Sequence, residues 1–182
     1  GTTTSLDELL DDYSAEGIRK RVDFYKGFSK QLHEQVVRDH LAGDAWADYA
    51  VVDNHIEREL VELERIRSHE HDPNLYMQLL GTALYTPMVH EYAPKVERYR
   101  HIIARLGKVP AFIDQAKQNL RSTPAIWTEV ARESNAGLMD LIRNVISPDL
   151  PTELKTDYDR ASEEALTALS GFEDYLANDL AG

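Results

Sequence analysis

The stretch at residues 98–120, "RYRHIIARLGKVPAFIDQAKQNL", decides the fold class of this chain. Its first half carries apolar side chains three and four positions apart, the spacing of one helix face: Tyr99, Ile102, Ile103 and Leu106. Gly107 then stands where a helix is expected to end, and Pro110 where the next is expected to start. The stretch therefore predicts two consecutive helices, over about residues 93–106 and 110–120.

Two longer helices are predicted before this stretch. The first starts at its N-cap Ser14 and extends to about His40, and the second extends from its expected N-cap Asp44 to about Ser68. Gly43 marks a short loop between them, which predicts an antiparallel hairpin. The residues expected to face inward are Ile18, Val22, Phe24, Tyr25, Phe28, Ser29, Leu32 and Val36 in the first helix, and Trp46, Tyr49, Asp53, Ile56, Leu60, Leu63 and Arg67 in the second.

A third helix is expected to follow this hairpin. Asp72 is a suitable N-cap and Pro73 suits the first helical position, where its missing N–H costs nothing. Pro87 lies near the end of this helix or kinks it. Its expected apolar stripe is Leu75, Leu79, Leu80, Ala83 and Leu84.

Two helices are predicted after the opening stretch. One is expected to be capped by Ser122 or Thr123, with Pro124 in its first turn, and a long closing helix covers about residues 150–180. Their inward faces are Trp127, Val130, Ala131, Leu138, Leu141 and Val145, and then Leu154, Tyr158, Ala161, Ala165, Leu169, Phe172 and Leu176.

These elements predict an all-α fold without a sheet. No segment alternates apolar and polar residues with the period of a strand, and no Asn-Gly or Asp-Gly hairpin turn occurs. We expect an antiparallel bundle of long helices with a shorter helical subdomain, about seven helices in all. The 182 residues are expected to form a single helical domain without internal repeats.

Composition excludes several classes of partner. The formal net charge is −12, which argues against nucleic acid and anionic membranes, because both attract cationic surfaces. The chain has no cysteine, no apolar run long enough to span a bilayer, and no signal-peptide pattern at its start. We expect a cytoplasmic location, and a lost signal leaves export open.

The segment 66–76, "IRSHEHDPNLY", carries residue types that bind metals or transfer protons. A zinc-peptidase helix needs His-Glu-x-x-His, and the position four after His33, His69 and His90 is Val, Pro and Pro. His33 and His40 share a face but lie two turns apart, too far to chelate one ion without other ligands. The segment is therefore interpreted as a helix end followed by the cap of the next helix.

Asp53 is the best single candidate for carboxylate chemistry, because it interrupts an apolar seam. The alternative, which we favour, is a partly buried Asp53 hydrogen-bonded to Tyr, Trp or Arg from a neighbouring helix. The sequence has no G-x-S-x-G, no Gly-rich phosphate loop and no Glu-x-x-His of a di-iron bundle. From the residues alone, the chain is interpreted as a helical scaffold without its own active site.

Several short motifs nevertheless resemble a known family. "HDPNLYMQLLGTALYTPM", "RYRHIIARLGKVPAFIDQAKQNL", "DDYSAEGIRKR" and "ALTALSGFEDYLANDL" occur in an order and spacing similar to the N-terminal helical region of the bacterial domain-of-unknown-function 885 family. That family is similar to zinc-dependent gluzincin peptidases. The matching positions, to which the resemblance gives a structural role, are Pro73, Tyr76, Arg105, Leu106, Pro110, Asn119 and Leu120.

The resemblance implies a role without chemistry for this region. Family members are longer, so the resemblance implies that residues 1–182 are an N-terminal fragment of a longer protein. The implied zinc site lies in the C-terminal part, so no metal ligand and no catalytic residue carries over and no cofactor is expected here. The expected partner is the C-terminal catalytic half of the parent protein, with a homodimer as a further option, and this region would form one wall of a substrate cleft. The alternative is a stand-alone helical module for protein interaction. Arg105 and Asn119 are expected to hydrogen-bond backbone carbonyls where the two consecutive helices meet.

Overall fold

The computed structural model describes residues 5–178 and residue 180; positions 1–4, 179, 181 and 182 lie outside the described residues. The described chain is helical and contains no strand, which confirms the all-α prediction. Its seven long helices are α1 Ala15–Gln35, α2 Asp44–Val61, α3 Pro73–Val89, α4 Lys95–Leu106, α5 Val109–Asn119, α6 Ala125–Asp140 and α7 Lys155–Asn178.

The chain divides into two compact units. The hairpin unit comprises Tyr13–Ser68 and contains α1 and α2. The bundle unit comprises the described residues up to Asp12 and those from His69 onward, and contains α3 to α7. The expectation of a single domain over residues 1–182 stays a prediction.

The hairpin unit has the antiparallel arrangement that was predicted. Lys26 of α1 binds Glu64, which follows α2, at 2.6 Å, whereas His33 near the end of α1 binds Asp53 within α2 at 2.9 Å. The pairs advance in opposite directions along the two helices, as antiparallel neighbours require. Ser14 caps α1 as predicted, because its hydroxyl accepts from the Gly17 amide at 3.0 Å.

Two boundaries in the hairpin unit differ from prediction. α1 ends at Gln35 instead of near His40, which lies in a separate short 3₁₀ turn. Asp44 is not the N-cap of α2; Gly43 takes that position with φ +56°, a left-handed conformation that glycine adopts without steric cost. α2 continues beyond Val61 as a π-helical turn, Glu62–Ile66.

The predicted inward face of the hairpin is only partly correct. Tyr49, Ile56 and Leu63 are buried, whereas three aromatic side chains expected to face inward are 41–63% exposed: Phe24, Phe28 and Trp46. Two helices can bury only the narrow stripe along their common seam, so side chains at the margin of an amphipathic face stay in water.

The bundle unit holds most of the core. α3 packs against α4 and α6, and α7 packs against α4, α5 and α6. α6 and α7 are antiparallel, because Arg132 binds Glu173 at 2.6 Å while the Asn135 amide donates to the Leu169 carbonyl at 3.0 Å. The entire predicted stripe of the closing helix is buried: Leu154, Tyr158, Ala161, Ala165, Leu169, Phe172 and Leu176.

The helix ends in the bundle unit correct some local predictions. Asp72 caps α3 as predicted, accepting from the Asn74 amide at 2.9 Å. Gly107 is the C-cap of α4 in a right-handed conformation, φ −63°, so the chain turns directly into α5. Pro124 precedes α6 and no side chain caps that helix, so the predicted caps Ser122 and Thr123 are wrong. The predicted inward residues Trp127, Val130 and Val145 are 41–45% exposed.

Candidate functional site

One group of polar contacts in the bundle unit lies where α4 meets the C-terminal half of α3. Pro87 lies inside α3 and has no backbone N–H, so the Ala83 carbonyl four residues earlier loses its helical partner. The Arg105 guanidinium from α4 supplies the missing donor, with Nη1 at 2.5 Å from the Ala83 oxygen. Arg105 therefore repairs the gap that Pro87 makes in the α3 hydrogen bonds.

A second arginine of α4 completes this repair. Arg98 is buried, with 6% of its surface exposed. Its Nη1 donates to the carbonyls of Pro87 and Met88, the latter at 3.0 Å, and its Nε donates to the Ala93 carbonyl at 3.0 Å. The last carbonyls of a helix have no internal partner, so Arg98 acts as a cap for the C-terminus of α3. We call Arg98, Arg105 and the carbonyls that they bind the arginine brace.

A second polar corner surrounds Tyr76, whose side chain is completely buried. Its hydroxyl donates to the His69 carbonyl at 2.6 Å and accepts from the Asn119 amide at 3.1 Å. The Tyr76 ring meets Phe112 edge to face, with centroids 5.7 Å apart. These contacts tie the start of α3, the end of α5 and the turn before α3 into one structure.

The His-Glu-His segment is part of this corner. The Arg121 amide donates to the Glu70 carbonyl at 3.0 Å, and His71 Nδ1 donates to the Ser122 carbonyl at 3.0 Å. His69 itself is buried. Among residues 5–178 and 180, no group of three or more His, Asp or Glu side chains is placed to hold a metal ion.

The structure therefore separates the residues singled out by the family resemblance into two sites. Tyr76 and Asn119 contact each other, while Arg105 belongs to the brace. Arg105 binds the backbone carbonyl of Ala83, and Asn119 donates to the Tyr76 hydroxyl, which in turn donates to the His69 carbonyl. The remaining matched residues lie in the first turn of a helix, as Pro73 and Pro110 do, or are buried in the core, as Leu106 and Leu120 are.

Sequence reasoning missed Arg98. Its position four residues before Ile102 puts it on the inward face of α4, and that pattern is visible in the sequence. Pro87 within an apolar helix also indicates that a neighbouring donor is needed. Combining the two signals would have found the brace.

An electrostatic cluster stabilises the other end of α4. Lys95 binds Asp149 at 2.7 Å, and the Tyr99 hydroxyl donates to the same carboxylate. The hydrogen bond from Lys95, followed by that from Tyr99, lowers the pKa of Asp149 below its ordinary value. Burial, together with the hydrogen bond to Asp149, raises the pKa of Tyr99. Burial likewise raises the pKa of Tyr158, whose hydroxyl donates to the Ile142 carbonyl at 2.5 Å.

In the hairpin unit, Asp53 accepts a hydrogen bond from a side chain that sequence reasoning did not consider for it. Its Oδ1 lies 2.9 Å from His33 Nε2 of α1, and His33 Nδ1 lies 3.4 Å from the Ser29 hydroxyl. His33 is half exposed and Asp53 about a quarter exposed. We interpret the pair as a solvated link between the two helices, worth about 0.2–1 kcal/mol.

Two concave surfaces of the bundle unit flank α3. The α3–α6 groove, about 520 Å³, has Tyr85 and Val89 on one side and Gly137 and Leu138 on the other. Tyr85 and Val89 are about half exposed. The Leu9 pocket, about 450 Å³, lies between the segment around Leu9 and helices α3, α4 and α5. No helix within the described ranges has the length and apolar character of a membrane span.

Comparisons with known proteins agree with this fold. The family model described as "Bacterial protein of unknown function (DUF885)" matches residues 1–182. A solved structure described as "a putative lipoprotein of unknown function" from Shewanella oneidensis superposes with a TM-score of 0.81 at 21% identity. The match covers 96% of this chain and 32% of the other, so this chain spans about a third of the length of that protein. No curated protein sequence matches the chain.

Proposed function

The chain belongs to the DUF885 family of bacterial proteins, and from this premise we propose that it is a non-catalytic helical scaffold within a longer, zinc-peptidase-like protein. In that role it forms one wall of a substrate cleft and packs against a C-terminal catalytic half. The observation that carries the proposal is the use of four buried polar side chains: Arg98, Tyr76, Tyr158 and Asn135 each donate to a backbone carbonyl.

This pattern supports a scaffold because each of these donors is committed to holding one helix against another. A buried carbonyl without a donor costs about 1–3 kcal/mol, so the side chains that satisfy these carbonyls stabilise the fold. Residues that transfer protons or bind substrate instead need donors or acceptors directed at the ligand. Arg98, Tyr76 and Tyr158 thus have a structural assignment already.

The α3–α6 groove supports the assignment of a cleft wall. Tyr85 and Val89 expose apolar surface there, and a Cβ added to Gly81 or Gly137 would meet no neighbouring atom within 4 Å. The groove is therefore open along its floor. An apolar, open groove between two helices suits either a bound extended chain or a packed helix.

The test uses the longer protein that would contain this region. We expect about one zinc per chain and hydrolysis of peptides by the longer protein, and neither by the 182-residue chain. Tyr85→Glu in the longer protein should raise KM for a peptide several-fold with kcat and zinc content unchanged, whereas Glu164→Gln, on the exposed face of α7, should change none of them. Hydrolysis or tight zinc binding by the 182-residue chain would contradict the proposal.

The alternative function is a stand-alone interaction module that receives a partner helix in the same groove. It predicts a separate partner protein bound at micromolar concentrations by the 182-residue chain itself. Analytical ultracentrifugation of this chain and of Tyr85→Glu, each alone and mixed with a candidate partner, separates the two functions, since only the module forms a partner-bound species that Tyr85→Glu loses.

The expected compartment belongs to the same proposal. We keep a cytoplasmic location as the expectation, while the description of the structurally similar protein as a lipoprotein favours testing export. Fractionation of the source cells into cytoplasm, envelope and medium, followed by immunoblotting, decides between them.

A further inference from the structure

We propose that the Leu9 pocket binds a small carboxylate that carries an apolar body. The pocket belongs entirely to the bundle unit, and its volume of about 450 Å³ falls within the range of ordinary ligand pockets. The pocket adjoins the α3–α6 groove at Thr82 and Thr86, which line both, but its other walls are different residues. The assignment therefore does not depend on the scaffold role.

The walls of the pocket divide into an apolar and a polar part. Leu9, Leu75, Leu79 and Phe112 supply apolar surface. Thr82, Thr86 and Arg105 supply hydroxyl and guanidinium groups at the part formed by the later turns of α3 and by α4. A ligand that matches both parts has an apolar body and one polar end.

Arg105 selects the charge of that polar end. A guanidinium carries a permanent positive charge and five N–H donors. Its Nη1 donates to the Ala83 carbonyl, its buried Nε has no hydrogen-bond partner, and no carboxylate within residues 5–178 and 180 lies within ion-pair distance of it. A positively charged side chain with unused N–H donors beside an apolar pocket favours a carboxylate ligand, because a carboxylate accepts two N–H groups at once.

One feature of the lining opposes an anion. Asp11 also contributes to the pocket, but it is exposed and lies on the segment that faces α3. Solvent screening reduces the repulsion from an exposed carboxylate. We therefore expect Asp11 to weaken binding slightly without preventing it.

Both a fatty acid and the C-terminal end of a peptide carry a carboxylate on an apolar body, and the test separates these two ligands. Octanoate and N-acetyl-leucyl-leucine are titrated into the ¹⁵N-labelled 182-residue chain, with octanol and N-acetyl-leucyl-leucinamide as neutral controls. We expect at least one carboxylate to shift the amide signals of Thr82, Thr86 and Phe112, and to bind about tenfold more tightly than its neutral control, a difference of about 1.4 kcal/mol. Equal binding of carboxylates and neutral controls, or no shift at these amides, overturns the proposal.

Variants locate the interaction. Arg105→Gln removes the guanidinium charge and should weaken carboxylate binding about tenfold while the neutral control binds as before. Ala83→Leu fills the pocket and should abolish binding of both, which keeps the test decisive if Arg105→Gln does not fold. Arg100→Gln, on the exposed face of the same helix, should leave binding unchanged. Asp11→Asn should tighten binding slightly; weaker binding there would overturn the assigned orientation.

Discussion

The hairpin unit and the bundle unit show the same helical pattern in sequence but differ greatly in what they bury. α1 has 21 residues, and among those described only Gly17 is buried. α7 has 24 residues and buries an entire stripe, including Leu169, Phe172 and Leu176. An amphipathic pattern therefore indicates which side of a helix faces inward, and the number of packed neighbours decides how deeply that side is buried.

The two units also use their polar side chains differently. In the hairpin unit, Lys26–Glu64 and His33–Asp53 join side chain to side chain at exposed positions, where ion pairs contribute little. In the bundle unit, Arg98 and Tyr158 are buried and donate to backbone carbonyls of other elements. We expect the bundle unit to dominate the stability of the chain, and the following predictions test this difference.

The largest difference in stability should come from removing one phenylalanine ring from each unit. Phe172→Ala in the bundle unit removes a completely buried ring and should lower the free energy of unfolding by about 3–5 kcal/mol. Phe24→Ala in the hairpin unit removes a ring that is 63% exposed and should cost about 0.5 kcal/mol or less. Urea denaturation of both variants measures the difference, and equal losses would contradict the contrast between the units.

The arginine brace should give the next largest effect. Arg98→Met leaves the carbonyls of Pro87 and Met88 without their donor and should cost about 2–3 kcal/mol. Arg100→Met, at an exposed position of the same helix, is the matched control and should change stability by about 0.5 kcal/mol or less. Thermal unfolding followed by circular dichroism gives both values; a similar loss in the two variants would show that helix propensity is responsible.

A double-mutant cycle tests whether Arg105 replaces the N–H that Pro87 lacks. In Pro87→Ala the residue at this position regains an N–H for the Ala83 carbonyl, so Arg105→Met should cost less there than in the unchanged chain. We expect a coupling of about 1 kcal/mol from chemical denaturation of the four proteins. A coupling near zero would mean that the Arg105 hydrogen bond is independent of the proline.

The buried tyrosines should make the bundle unit sensitive to alkali. Burial raises the pKa of Tyr158 in the folded chain, so above pH 10 the unfolded state loses a proton that the folded state keeps. Stability from this residue is therefore complete below the ordinary pKa and falls as pH rises above it. Tyr158→Phe should lessen the decline in melting temperature between pH 9 and pH 11, and an unchanged decline would assign it to other groups.

The smallest effect should come from the exposed pair of the hairpin unit. Asp53→Asn removes the charge that faces His33 and should lower the free energy of unfolding by about 0.2–1 kcal/mol. High salt should reduce that loss further, because the pair is solvated. A loss above about 2 kcal/mol would show that the pair is energetically buried, and urea denaturation at low and high salt distinguishes these outcomes.

Much of the helical framework was accessible from sequence because its causes are local. The 3–4 spacing of apolar residues located all seven helices, and the caps Ser14 and Asp72 each act within three residues. Where local signals predicted burial wrongly, the packing of neighbouring helices decided which side chains are buried. Trp127 has helical spacing for the core but is 45% exposed, because the face that α6 presents to α3 and α7 is lined by Ala131 and Leu138 instead.

By itself, the sequence determined the helices and most of their starts, since these depend on spacing and capping within about four residues. Only the tertiary structure decided the arginine brace and the Tyr76–Asn119 contact, whose partners are 5 to 43 residues apart. The physical reason is that a buried carbonyl must be satisfied by whichever donor packing brings near it. That donor is chosen by the arrangement of whole helices, which no local pattern specifies.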